Sequence, residues 1–199
     1  MRKMLFNEKY GLESAVIGGW KTSTMRNVPK GILPSDVEKC LDGFSALCWL
    51  LSPYEYKQEV AIAQAYKNIW FEMCANPCYN IQQRDAFFDT YSKTEGWSNK
   101  LYVSADNMLH FIQMDGIRMM YLQDITDEMC LTEGIRLDSN TGKYYYPFTM
   151  TNRKGEDVTR LACFDTPREA FISLIDDVCG YGYWLSNSLV FRYTFHFIR

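Results

Sequence analysis

The segment "FDTPREAFISLIDDVCG", residues 164–180, constrains the fold most. Thr166 caps a helix, Pro167 takes its first position, and Glu169 closes a capping box. Phe171, Leu174, Ile175 and Val178 then recur at helical spacing, and Gly180 ends the run. "SLVFRYTFHFI" follows, with Phe191, Tyr193, Phe195 and Phe197 alternating as one face of a strand. A one-sided helix feeding a one-sided strand requires a sheet whose buried face both can cover.

The upstream elements follow no regular β-α-β rhythm. "RKMLFN" reads as a strand, "LESAVIGG" as one or two helical turns and "TSTMR" as extended chain. Ser35 with Glu38 predicts a capping box opening one helix through "PSDVEKCLDGFSALCWLL". "EVAIAQAY" alternates large and small residues and predicts a strand, as does "KLYVSA". Asn80 with Gln83 predicts a second capped helix, packing Phe87, Phe88 and Tyr91. Gly116 interrupts the strand "HFIQMDGIRMMYL" and predicts a bulge. Thr126 caps a short helix that Gly134 follows, and turn residues at 140–142 and 152–155 predict a hairpin. The expectation is an α+β fold: a small barrel of about five or six strands with peripheral helices. A chain of 199 residues is expected to form one domain.

The net charge of −3 excludes a basic nucleic-acid arm, so any such contact needs a local patch. Arg2, Lys3, Lys9, Lys21, Arg26 and Lys30 offer one, against Glu8 and Glu13. The seven cysteines include no Cys-x-x-Cys, and His110 and His196 lie far apart, so neither a metal nor another cofactor is expected. With no long apolar run, no membrane partner is expected, and the chain reads as cytoplasmic with reduced thiols.

"GWKTSTMR", residues 19–26, carries the chemistry. Two glycines allow a sharp turn before Lys21. Thr24 and Arg26 share a strand face with Thr22. Ammonium, hydroxyl and guanidinium together suit an anion, a carbonyl oxygen or a nucleic-acid base. The competing reading is a solvated edge strand.

The order of these pieces resembles the ASCH domain family of the PUA-like β-barrels. "GGWKTSTMR" is similar to the family's Gly-x-Lys-Thr-x-Thr-x-Arg segment, and "YKQEVAIAQAY" to the strand after it. "IRMMYLQDITDEMCLTEGI", a strand and short helix closing on Glu-Gly, is the most specific match. The C-terminal helix and strand complete the set, a little over half the chain. Met25 stands where a β-branched residue is ordinary, and Gln58 and Glu59 replace the usual glycine before Val60. The tracts around 31–54, 76–95 and 137–160 read as insertions. The longer arrangement, including "GWSNKLYVSAD", resembles ASCH proteins of phages and mobile elements of gut bacteria.

The resemblance implies two activities. One is a PUA-like module that recognises RNA or a modified nucleotide in a cleft beside the barrel. The other is an amidohydrolase that deacylates modified cytidines, with Lys21, Thr24 and Glu133 as its catalytic set. Lys21 would serve as a base if burial lowers its pKa, or as oxyanion partner if charged. Thr24 would be the nucleophile and Glu133 the proton relay. For recognition, Lys21 and Arg26 supply charge, Trp20, Tyr66 and Trp97 are candidate stackers, and Asn99 and Lys100 flank Trp97. The alternative for each aromatic is ordinary core packing. A third reading is a phage-derived module whose insertions bind a host protein.

Overall fold

A computed structural model describes all of residues 1–199. Strands and helices alternate irregularly. They run β1 (Arg2–Met4), α1 (Leu12–Ile17), β2 (Ser23–Asn27), α2 (Pro34–Leu41), α3 (Ser45–Leu51), β3 (Glu59–Ile62), α4 (Tyr66–Ala75) and α5 (Ile81–Tyr91). Then come β4 (Phe111–Tyr121), α6 (Asp127–Thr132), β5 (Arg136–Leu137), β6 (Tyr144–Thr151), β7 (Asp157–Phe164), α7 (Pro167–Cys179) and β8 (Leu189–Phe197). The fold is α+β. The larger sheet has the strand order β1-β3-β4-β8-β2, and the smaller β5-β6-β7. β1 and β2 end the larger sheet, so the expected closed barrel is not formed by this pairing.

The chain forms two compact units. One comprises Met1–Phe6, Glu59–Ile112 and Ile198–Arg199. Here β1 pairs in parallel with β3, Lys3 opposite Ala61. Its core joins Ala61, Ala63, Tyr66, Ile69, Met73 and Phe111. Asn80 and Gln83 form the expected capping box on α5. α4 occupies Tyr66–Ala75, where the alternation through "EVAIAQAY" predicted strand to Tyr66. The alternating run is real only to Ile62, and Tyr66 starts the helix instead. "KLYVSA" is also not a strand: Lys100–Tyr102 and Ala105–Asn107 are 3-10 turns, capped by the side chains of Asn99 and Ser104. Those local caps give the backbone an alternative to a ladder.

The other unit comprises Asn7–Gln58 and Gln113–Phe197. α7 has the predicted cap: Thr166 accepts from the Glu169 backbone, and the Glu169 side chain returns the bond. β8 pairs antiparallel with β2 from Ser23↔Thr194 to Asn27↔Val190. Phe191, Tyr193 and Phe195 are buried on one face, as their alternation requires. The single helix expected from Ser35 is instead α2 and α3, broken at Asp42 and Gly43. Gly43 has φ +95°, and Leu33 rather than Ser35 stands at the N-cap. Pro34 starts the helix one residue too early for Ser35 to cap it.

β4 carries the expected bulge. Asp115 bonds His196 at 2.6 Å, while a Cβ on Gly116 would lie 2.5 Å from Thr194 Oγ1. Asp115 and Gly116 therefore both face Thr194's side of β8, the two-against-one signature of a bulge. Past it, Leu122 N donates to Ser188 O at 3.0 Å.

Candidate functional site

α6 and β2 bring the two ends of the family-like pattern together. Thr126 caps α6 by accepting from Met129 N, and the helix delivers Glu133 at its C-terminal end. Lys21 Nζ meets Glu133 Oε2 at 2.8 Å and also donates to the Glu133 carbonyl at 2.8 Å. The two side chains are only 3% and 6% exposed. Burial holds the Lys21 ammonium below its ordinary pKa of 10.5. Glu133 opposes that shift, and the charges of Arg26 and Arg192 add to it.

Ser23 completes the grip. Its hydroxyl donates to Glu133 Oε1 at 2.7 Å and lies 2.8 Å from Thr132 Oγ1. Thr132 Oγ1 accepts in turn from an Arg192 terminal nitrogen at 2.9 Å. Both carboxylate oxygens are thus fixed, one by an ammonium and one by a hydroxyl.

Thr24 lies on the other face. Successive strand residues alternate, and Thr24 pairs with Tyr193 and Arg26 with Phe191. Lys21 and Ser23, two apart, share the Glu133 side. No hydrogen bond joins the Thr24 hydroxyl to Lys21 or Glu133, so the expected convergence of Lys21, Thr24 and Glu133 is realised only for the first and last. Ser23 was missed by the sequence reading, although two-residue periodicity counted from Lys21 points to it.

The two glycines act differently from each other. Gly19 makes the turn, at φ +79°. Gly18 is needed for space, since a Cβ there would lie 1.8 Å from Trp20 Cζ3. The Trp20 ring folds back over Gly18, remains 38% exposed, and carries the Arg136 guanidinium 4.4 Å from its centre.

The remaining candidates belong to the other unit and are taken up by packing. Tyr66 is buried, stacked on Tyr91 at 4.1 Å, and its hydroxyl accepts from Asn107. Trp97 packs edge-on against Phe88 at 5.3 Å. Asn99 caps a 3-10 turn by accepting from Leu101 N, and Lys100 donates to the Phe6 carbonyl. Each of these groups thus has a local packing or capping partner, while Trp97 stays half-buried and Asn99 exposed. Lys3, part of the basic patch, likewise donates to the carbonyls of Lys100, Leu101 and Val103.

No family model, curated protein or solved structure matches the chain.

Proposed function

We propose that this chain is an ASCH-type amide hydrolase of PUA-like descent that removes an acyl group from the exocyclic amine of a cytidine-like base. The observation that carries the reading is the Lys21–Glu133 contact at 2.8 Å, buried and centred on a lysine of lowered pKa. A buried ion pair contributes little net stability, whereas residues of perturbed pKa, as Lys21 is, cluster at sites of chemistry.

Such a pair can pass its proton internally, giving an amine and a carboxylic acid. The Lys21 amine then takes a proton from the attacking water as its oxygen bonds the acyl carbon. The carbon–nitrogen bond breaks, and Glu133 gives its proton to the departing amine. A carboxylic acid and a free base amine result, and a proton moving from Lys21 back to Glu133 resets the pair. Ser23 holds the carboxylate in place, and exposed Trp20, next to Lys21 in the chain, supplies the stacking face. Thr24 has no part in this scheme.

The test is incubation with a panel of N4-acylcytidines, with cytidine release followed by chromatography. The wild type is expected to release cytidine, and Glu133→Gln to slow release by about 100-fold or more. No release from any member, or undiminished release by Glu133→Gln, refutes the reading. Recognition of a nucleotide without turnover is the second reading. The contact of Arg136 with exposed Trp20 favours it, because that pair presents a cation and a π-face together. It predicts saturable binding of cytidine with no product.

A further inference from the structure

The register of β4 against β8 sets two arginines face to face. Leu122 is bonded to Ser188, and Gly116 abuts Thr194. Both contacts fit one antiparallel register, and stepping two residues from Gly116 and Thr194 places Arg118 opposite Arg192. β2 extends the same rows, with Met25 opposite Arg192 and Ser23 opposite Thr194. The arginine pair therefore shares a face with Ser23, which bonds Glu133.

Directly opposed like charges destabilise a sheet. Neither Arg118 nor Arg192 forms a salt bridge, and Glu133 acts on Arg192 only through space. Arg192 is tied to Thr132 by one terminal nitrogen, and its Nε is buried without a partner. Burial lowers its pKa; Glu133 opposes the shift and Arg118 adds to it. Glu133 itself is already held by Lys21 and Ser23. The fold thus keeps two guanidinium groups that bond no carboxylate beside its buried acid–base pair, one of them exposed.

We infer that Arg118 and Arg192 form a phosphate subsite, so that the substrate is a nucleotide carrying a phosphate monoester rather than a free nucleoside. An anion between the two groups removes their repulsion and offsets the desolvation that Arg192 carries. Guanidinium is suited to it, because its planar fork matches two phosphate oxygens at once. The substrate assignment rests on the hydrolase reading; the subsite does not.

Calorimetric titration with cytidine 5′-monophosphate, cytidine and inorganic phosphate tests the inference. The monophosphate is expected to bind about ten-fold or more tighter than cytidine, with inorganic phosphate competing. Arg118→Gln, a surface change, is expected to bring the two affinities within about two-fold, as is Arg192→Gln. Lys154→Gln, exposed on the β6–β7 turn, is expected to keep the difference. Equal affinity for nucleotide and nucleoside, no measurable phosphate binding, or a preference that survives Arg118→Gln overturns the subsite. Phosphate binding that depends on Arg118 without acylcytidine cleavage sinks only the hydrolase reading. Cleavage of acylated nucleoside and nucleotide with equal kcat/KM sinks only the present inference.

Discussion

Burying Lys21 costs the fold free energy that Glu133 only partly returns, and that cost titrates. In the unfolded chain the ammonium loses its proton near 10.5, and in the folded chain at a lower pH. Below the folded value both states are protonated and the full cost of the buried charge is present. Between the two values the unfolded state binds more protons, so stability from this residue rises with pH. Urea unfolding of wild type and Lys21→Met across that window should therefore show the wild type gaining on the variant; a constant difference would contradict the lowered pKa. Ser23 and Thr24, adjacent in sequence, separate in effect because they face opposite sides. Ser23→Ala removes a donor to a buried carboxylate and is expected to cost about 2 kcal/mol. Thr24→Val removes a hydroxyl that does not touch the acid–base pair, and should stay within about 1 kcal/mol. Chemical denaturation of the two variants decides it, and a larger loss at Thr24 would argue for a site on its face.

Among the elements, α7 and α2 differ in how their caps can be tested. Thr166→Ala breaks a realised capping box and is expected to lower stability by about 1 kcal/mol. Ser35→Ala should be near neutral, since Ser35 sits inside α2 and caps nothing. Thermal melts of both variants would expose the contrast, and equal losses would mean that α2 begins at Ser35 after all. That pair also shows what the sequence makes legible. Signals carried by several coincident residues, such as Thr166, Pro167, Glu169 and Gly180 around α7, predict the element and both its ends. A two-residue signal such as Ser35 with Glu38 loses to Pro34 one position earlier and to the turn at Gly43. Side-chain alternation through "EVAIAQAY" fixes β3 but not its end, because nothing in the period distinguishes the last strand residue from the first of α4. The site was legible in the same uneven way. Lys21 and Glu133 are found through two motifs 112 residues apart. Ser23 follows from two-residue periodicity counted from Lys21, whereas the opposition of Arg118 to Arg192 depends on which residues of β4 and β8 pair beyond the bulge at Gly116, which neither strand specifies alone. Tyr66 looks identical to a binding aromatic until its neighbour Tyr91 is in place.

For the molecule as a whole, net charge and local charge point in opposite directions. The chain carries −3, yet the face bearing Ser23 sets Arg118 opposite Arg192 with neither bonded to a carboxylate. Nucleotide affinity should therefore fall as salt rises, since the screening length shrinks from about 30 Å at about 0.01 M to about 3 Å at about 1 M. Salt-independent affinity would mean that recognition rests on stacking at Trp20 alone. The most direct test of the central claim, that Lys21 and Glu133 share the proton used in catalysis, is the pH dependence of kcat/KM for an acylated cytidine. Lys21→Arg retains the positive charge but cannot give up its proton in this range. The wild-type rate should hold steady and then fall as pH rises through an apparent pKa below 10.5, where the pair loses the proton that Glu133 must donate, and Lys21→Arg should lose both that descending limb and most of the rate. A wild-type rate flat across that range, or a Lys21→Arg enzyme with the same descending limb, would contradict the account.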